Sequence, residues 1–428
     1  MTGKNAMRFS AEWSENAPNV SAEERATLCD LVIQVGNDNV SAHRDIIEGA
    51  VFDAITVPTV HLAEGIATDW WSIFGGRDRP HALRRYRRGF VLPDLRITCH
   101  GQTFEISGEQ KHFVNPGIRF WQPDTEVIPR HEAEEAFSGF IEGTIARLVG
   151  AGIEESDVQL QWAQVEESRQ NPEEAAFCEA AGALGVNPYS IADVDAEFIL
   201  NAGNLFSRTS LIDFLSGVAT VEGSYRRSTL NKIHEADRQM EEHSRLPELR
   251  NASMTIPDDI RQIRPGEGAW GPGYRAARLL RDVLGIPAAD TFGCFSDIAR
   301  QVGTDRFNYS DDLPLVHAVV SRYEDVFVHL RRPRHAGSEF DMFNFARAIG
   351  DAVCFPNDGC SVVNGLHGAE RQAMGRAFAA EFLAPVESVI SAAAEGLDVE
   401  EVAGSFAVFP EVIKRQLENH DRIELACS

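Results

Sequence analysis

The stretch FNFARAIGDAV, residues Phe343–Val353, decides how the last part of this chain folds. Around it, apolar residues recur at the three- and four-residue spacing of one helix face; they are Met342, Phe345, Ala346, Ile349 and Val353. Pro356 follows, and a proline interrupts the hydrogen bonding of a helix. The pattern predicts a helix over about residues 341–353 whose apolar side faces the core.

Two charged residues, Arg347 and Asp351, lie on the other side of this predicted helix. They are four residues apart, so their side chains fall on the same face one turn from each other. An arginine and an aspartate at this spacing can form an ion pair along a helix. The sequence therefore predicts contact between Arg347 and Asp351.

The segments around this helix have a recognisable order. The amphipathic run YRAARLLRDVLGI comes first, and two strand-like runs follow it, LPLVHAVVS and EDVFVHL. After the helix come RAFAAEFLAP, whose small residues permit close helix packing, and AGSFAVFPEVIKRQLENH. Together they predict a mainly helical C-terminal domain with a small sheet.

This order resembles the ImmA/IrrE-type metallopeptidases, a gluzincin-like family of bacteria and phages. Family members carry Ala-His-Glu-Leu-Gly-His on one helix, then Phe-Ala-Ala-Glu-Leu-Leu-Met-Pro, and finish with Ala-x-x-Phe-x-Val and a Val-Ile-x-x-Gln-Leu-Glu-like tail. The second and third motifs match RAFAAEFLAP and AGSFAVFPEVIKRQLENH closely. The resemblance implies a zincin-like domain over roughly the last 160 residues.

The first motif departs from the family at every chemically active position. Arg347 takes the place of the first histidine, Ala348 that of the glutamate base, and Asp351 that of the second histidine. Counting back from the matched phenylalanine puts Gln372 at the third ligand position. Guanidinium has no lone pair for a metal, and alanine cannot move a proton. The resemblance therefore implies a peptidase frame without catalytic residues, without metal and without another cofactor.

A relocated metal site is the competing interpretation. Asp351, His367 and Glu370 supply two carboxylates and an imidazole close to the vestigial positions. A catalytic zinc needs three correctly oriented ligands. Under this alternative the protein is a zinc metallo-endopeptidase with a rebuilt site that cleaves a repressor-type protein.

Composition and length indicate a soluble, multidomain protein. The chain has 428 residues, too many for one ordinary core. No apolar run is long enough to span a bilayer, and the polar N-terminus lacks the apolar segment of a secretion signal. The seven cysteines show no close pairing, which is typical of reduced thiols. We expect a cytoplasmic protein that does not contact a membrane.

The predicted fold class is α+β with three regions. Residues 1–165 form a β-rich N-terminal module, with a strand at CDLVIQVG and a hairpin around His100-Gly101. Residues 166–256 form a helical middle, in which Asn171 and Pro172 open a helix. Residues 257–428 form the ImmA/IrrE-like domain.

Two features of the first region could bind a ligand. One is the run RDRPHALRRYRR, a candidate anion-binding patch whose residues include Arg77, Arg84, Arg85, Arg87 and Arg88. The other is the pair Trp70 and Trp71, which with His61 and Glu64 could line a pocket. The alternatives are intramolecular pairing of the arginines with acidic residues and a core role for the tryptophans.

The segment FCEAAGALGVNPYSIADV has the spacing of a helix-turn-helix, with Gly185 at the turn. However, no lysine or arginine occurs from Gln170 to Ser207, so the cations that contact phosphates are missing. The net charge of −25 also opposes nucleic-acid binding. We expect packing or protein contact here, and at most non-specific nucleic-acid binding through the arginine run.

The resemblance and the substitutions lead to one functional expectation. An inactive ImmA/IrrE-like protein would bind a protein or peptide in the vestigial cleft and act as a regulator or sensor, in stress response, mobile-element control or phage defence. The rebuilt metallo-endopeptidase is the second hypothesis. A DNA-binding transcriptional regulator is the third.

Overall fold

The chain divides into two units, Met1–Ala196 and Glu197–Ser428, each with its own hydrophobic core. The structure is a computed structural model. It describes residues 7–14, 20–108, 117–121, 124–239, 245–264, 267–304, 308–310, 313–332, 339–366 and 368–427. The boundary between the units falls inside the predicted helical middle, residues 166–256, so its first helices belong to one unit and its later helices to the other.

The first unit combines short strands with helices. Its elements are β1 (Met7–Trp13), α1 (Ala22–Thr27), β2 (Leu28–Val35), β3 (Asp38–Asn39), β4 (His43–Asp45), β5 (Val51–Phe52), β6 (Ile55–Pro58), α2 (Thr59–Thr68), α3 (Trp70–Gly75), β7 (His81–Ala82), β8 (Leu95–Cys99), β9 (Thr103–Gly108), β10 (Ile118–Phe120), β11 (Glu126–Pro129), α4 (Arg130–Gly150), α5 (Asp157–Gln170) and α6 (Pro172–Leu184). Helix α7 (Asp193–Gly203) crosses the boundary between the units.

Three small antiparallel sheets carry the strands described in this unit. Their orders are β1-β2-β3 with β6 also on β2, β10-β4-β5, and β11-β9-β8-β7. The strand predicted at CDLVIQVG is β2, in which Leu31, Ile33 and Val35 are buried at every second position. The predicted hairpin is also confirmed, because β8 and β9 pair on either side of His100-Gly101.

Helix α6 begins as the sequence predicts and lies against α3. The Asn171 side chain accepts hydrogen bonds from the Glu173 and Glu174 amides, at 3.1 and 3.4 Å. At the other end, Gly185 adopts φ of 84°, the left-handed conformation that suits glycine. Gly182 permits the contact with α3, since a Cβ there would overlap the backbone carbonyl of Trp71.

The second unit is mainly helical. Its elements are α8 (Arg208–Val218), α9 (Gly223–Arg238), α10 (Pro247–Thr255), α11 (Trp270–Leu284), α12 (Phe295–Gln301), β12 (Asn308–Ser310), β13 (Val316–Arg322), β14 (Val326–Arg331), α13 (Glu339–Cys354), β15 (Cys360–Asn364), α14 (Glu370–Leu383), α15 (Val386–Ala394), α16 (Val399–Phe406) and α17 (Pro410–Cys427).

One four-stranded sheet and a helix layer form the core of this unit. The strand order is β12-β14-β13-β15, with β12 parallel to β14 and the other pairs antiparallel. Helix α14 packs against both α11 and α13. The α13 contact is close, because a Cβ on Gly350 would lie 2.6 Å from the Phe378 ring. The predicted strands before α13 are β13 and β14, and the α+β class is confirmed.

No single helix in the described part of the chain is both long and apolar enough to cross a membrane. Helices α14 and α15 are long and apolar enough only when they are taken together, and they are bent by 53° where they meet. Helix α14 is largely buried within its own unit, which is typical of the core helix of a globular domain.

Candidate functional site

Helix α13 places Arg347, Ala348 and Asp351, which the resemblance aligns with the metal-binding motif, in the interior of the second unit. The predicted apolar stripe is buried, as expected. The opposite face is buried too, including Asn344, Arg347 and Asp351. A helix that is covered on all sides must satisfy its polar side chains internally. Two hydrogen-bonded clusters do so.

The Asp351 cluster joins α13 to β13, β15 and α14. Asp351 accepts two hydrogen bonds from Arg371, at 2.6 Å from Nε to Oδ1 and 2.8 Å from Nη2 to Oδ2. Arg322 Nη2 and the Ser361 hydroxyl also donate to Oδ2. The second negative charge of the cluster comes from Asp358, which pairs with Arg371 Nη1. Two cations and two anions therefore offset each other inside the unit.

The ionisation of Asp351 follows from these contacts. Its side chain is 4% exposed, and those of Arg322 and Arg371 are 2% and 6% exposed. Burial raises the pKa of the Asp351 carboxyl, but Arg371, Arg322 and the Ser361 hydroxyl outweigh burial and hold this pKa at about 2. The carboxylate is therefore charged at neutral pH and oriented by its donors.

The Arg347 cluster lies one turn earlier on α13. Arg347 donates to the Asn344 side chain at 3.1 Å, to the Asn364 carbonyl at 2.7 Å and to Gln372 Oε1 at 2.7 Å. The Gln372 amide in turn donates to Asp213 Oδ2 at 2.7 Å. Asn364 Nδ2 donates to the same oxygen at 3.1 Å. The chain of bonds thus runs from α13 through α14 and β15 to α8.

Arg347 is a cation whose direct acceptors are neutral. Burial and the nearby Arg376 lower the pKa of its guanidinium to about 9, although Asp213 and Asp351 partly oppose the shift. Its Nε has no hydrogen-bond partner among the residues that the structure describes. Neutral carbonyl oxygens therefore orient the Arg347 side chain, and it forms no direct ion pair with the residues described.

The predicted ion pair between Arg347 and Asp351 is wrong. Both side chains are buried one turn apart, but Asp351 pairs with Arg322 and Arg371. The reason is geometric: Arg371 presents two donors to the carboxylate in the bidentate arrangement that favours arginine–carboxylate pairs. Arg347 instead meets Gln372, which the sequence had placed at the third ligand position.

The side chains at the positions that the resemblance aligns with zinc ligands do not fit a zinc ion. Ala348 is buried and has no donor atom, and Arg347 is a hydrogen-bond donor only. Asp351 has the chemistry of a ligand, yet both of its oxygens already accept from guanidinium groups. Gln372 is occupied on both its oxygen and its nitrogen.

The relocated site of Asp351, His367 and Glu370 falls partly outside the described residues, since His367 is not among them. Glu370 begins α14, and Asp351 is committed to two arginines. Within the described ranges, no group of three histidine, cysteine, aspartate or glutamate side chains is arranged to hold a metal.

The arginine run of the first unit is tied largely to its own unit. Arg84 pairs with Asp94 at 3.2 Å, Arg85 with Asp69 at 3.4 Å, and Arg88 with Glu64 at 2.5 Å. The remaining candidates differ: Arg77 donates to the Phe74 and Gly75 carbonyls, whereas Arg87 is exposed. An external anion would therefore have to displace the carboxylates that already pair with these arginines.

The tryptophan pair belongs to the core. Trp70 and Trp71 are both buried, and Trp70 packs edge-on against Trp162 with 5.0 Å between ring centroids. His61 is hydrogen-bonded to Glu24 at 2.8 Å. Of the two alternatives for the tryptophans, their burial supports the structural one.

The helix-turn-helix-like element uses its small residues for packing on α3. Ala181 and Gly182 are buried, and Gly182 lies against the Trp71 backbone. The C-terminal carbonyls of α6 accept hydrogen bonds from Arg79. The spacing that resembles a DNA-binding motif thus has a structural use in the first unit.

The sequence missed Arg322, Arg371, Asp358 and Asp213 as members of the buried clusters. Arg371 stands directly before Gln372, so its position beside the aligned site was visible in the sequence.

Searches of known protein families, curated proteins and solved structures give no match to this chain.

Proposed function

We propose that this protein is a catalytically inactive ImmA/IrrE-like protein that binds a protein or peptide partner and acts as a regulator or sensor. The supporting observation is the Asp351 cluster, which fills the space around a vestigial ligand position with paired charges. Ala348 stands where the family has its general base, and the described residues include no group of three side chains arranged to hold a metal. The proposed setting is stress response, mobile-element control or phage defence.

Hydrolysis would require groups that the site lacks. A metallopeptidase polarises a peptide carbonyl with a metal and activates water with a base. Here Ala348 stands at the base position and Arg347 at a ligand position. Binding makes no such demand, because peptide recognition needs only hydrogen-bonding groups and apolar contacts along a surface.

The buried charges favour a role in specifying structure. Replacing a buried ion pair with apolar residues is often neutral or stabilising. Arg322, Asp351 and Arg371 are therefore not required merely to make a stable core. We interpret them as fixing how α13, α14, β13 and β15 pack against one another. Because these side chains are buried, a partner would bind at the surface of the unit and not at the aligned positions themselves.

The test is a display selection of random peptides on the full chain, followed by fluorescence anisotropy of the selected sequences. We expect binding that is unchanged by EDTA and peptides that are recovered uncleaved. Arg376→Glu, on α14 one turn after Gln372, should weaken binding about tenfold or more. Arg376 is half-buried and donates to the Leu366 carbonyl at 2.6 Å. Arg226→Glu on α9 is therefore the matched control, since Arg226 is also half-buried and donates to backbone carbonyls; it should have little effect.

Metal-dependent cleavage of the selected peptides would contradict the proposal and establish the metallo-endopeptidase. Equal weakening by both variants would mean that binding is merely electrostatic. Tight binding to one DNA sequence, lost on changing Tyr189 and Ser190, would favour the transcriptional regulator instead.

A further inference from the structure

Strand β15 lies at the end of the sheet in the second unit, and a segment of the same chain covers it. One edge of β15 pairs with β13. On the other side, Phe206 forms an isolated parallel bridge with Cys360, and α8 packs against the strand. All five residues of β15 are buried as a result. A sheet edge of this kind is where an added peptide would pair.

The covering segment, residues 206–218, is tied to β15 and α14 through polar side chains. Ser210 and Thr209 donate to Asp358, at 3.0 and 3.4 Å. Asp213 accepts from Gln372 and from Asn364, at 2.7 and 3.1 Å. We call residues 206–218 the α8 segment.

Both buried clusters end on the α8 segment. Asp358 links Arg371 of the Asp351 cluster to Ser210. Gln372 links Arg347 to Asp213. The aligned positions and the covering segment therefore share one hydrogen-bonded network with two direct connections.

The apolar side of the α8 segment belongs to a different layer from the main core of the unit. Phe214 packs against Phe206 and Phe198, with 4.9 and 6.2 Å between ring centroids. The buried α8 residues Ile212 and Leu215 are not members of the large cluster that joins α11, α13 and α14. Separate apolar layers joined by polar contacts can open independently.

We propose that the α8 segment is an internal ligand of the β15 edge, and that a partner peptide binds there by replacing it. This inference rests on the proposed binding function and adds its regulation and the class of partner. Asp213 shows the chemistry required: a carboxylate between apolar residues, accepting from Gln372 and Asn364. The partner is therefore a peptide that carries an acidic residue between large apolar residues, with a hydroxyl-bearing residue three positions earlier.

Competition within the chain sets the strength required of the partner. A tethered segment has an effective concentration in the millimolar range. A free peptide with the same contacts cannot displace it at micromolar concentration. The partner must either make additional contacts or act on a chain in which the α8 segment is already loosened.

Hydrogen exchange followed by mass spectrometry tests the opening without any ligand. We expect α8 amides to exchange about tenfold or more faster than α13 amides in the wild-type full chain, because local opening precedes unfolding of the unit. The double variant Thr209→Ala/Ser210→Ala should accelerate α8 further and leave α13 unchanged. Equal protection of α8 and α13, in both proteins, would show that α8 is an ordinary core helix and would overturn the proposal.

A labelled synthetic peptide of residues 204–219, NLFSRTSLIDFLSGVA, tests the binding. It should bind the full chain carrying Ser210→Ala and Asp213→Ala at least about tenfold more tightly than it binds wild type. The same peptide with alanine at the Asp213 position is the control and should not bind. Equal binding of the two peptides would also overturn the proposal.

Should the Asp213 variant fail to fold, the Thr209→Ala/Ser210→Ala chain replaces it as receptor with the same expected order. The outcome remains separable from the proposed function. Zinc-dependent peptide cleavage would sink the proposed function, whereas uniform exchange or peptide binding that ignores the aspartate would sink only the internal-ligand inference.

Discussion

Replacing Asp351 with alanine removes the anion at the centre of a buried cluster. Arg371 would keep its contact with Asp358, but Arg322 would keep only the Ser361 hydroxyl as a partner in the cluster. Breaking a buried pair by removing one partner costs about 3 to 5 kcal/mol. We expect Asp351→Ala to lower the free energy of unfolding of the second unit by this amount.

The stability that the Asp351 carboxylate contributes can also be worked out from its pKa. This pKa falls from 3.8 to about 2 in the folded protein, which corresponds to about 2 to 3 kcal/mol of stability at neutral pH. Because the folded pKa is the lower one, this stability is present above about pH 4 and is lost as the pH falls toward 2. Asp351→Asn should remove that acid-sensitive contribution.

The assay is urea denaturation with hydrogen exchange, so that α13 and α4 report separately on the two units. Asp258→Ala is the control, since Asp258 pairs with Arg261 at 2.6 Å but is 86% exposed. It should cost no more than about 1 kcal/mol. A variant with Asp351→Leu and Arg322→Met, which removes one cation and one anion and keeps the Arg371–Asp358 pair, should recover most of the stability. A loss for Asp351→Ala no larger than that of the control would refute the reasoning.

Two further predictions concern packing and thiol reactivity. Gly182→Ala should cost about 3 kcal/mol because its Cβ would overlap the Trp71 carbonyl, whereas Gly139→Ala, with open space around it, should be neutral or stabilise α4 by up to about 1 kcal/mol in thermal denaturation. Alkylation of the native protein should label Cys294, which is exposed, and spare Cys354, whose pKa burial raises to about 12; labelling at equal rates would contradict the buried placement.

Local patterns predicted the elements that carry the site. The apolar stripe predicted α13, which the structure confirms. The match at RAFAAEFLAP singled out Gln372, and the structure adds that Gln372 accepts from Arg347. Such patterns depend on residues within two or three helical turns, so they also indicate caps such as Asn171.

The partners of the buried charges could not be read in the same way. Asp351 meets Arg322 and Arg371 from 29 and 20 residues away, and Asn364 meets Asp213 across 151 residues. An i, i+4 rule selects the nearest candidate along the helix, but tertiary packing supplied an arginine with better geometry. The sequence shows which charges need partners and does not show which distant residues provide them.

Metal analysis of the purified full chain, after incubation with zinc and removal of the excess, tests the central claim most directly. We predict far less than one zinc per chain, because Arg347 and Ala348 cannot ligate and Asp351 and Gln372 are engaged by other side chains. About one zinc per chain, lost on changing Asp351 or Glu370 to alanine, would contradict the account and establish a relocated metal site.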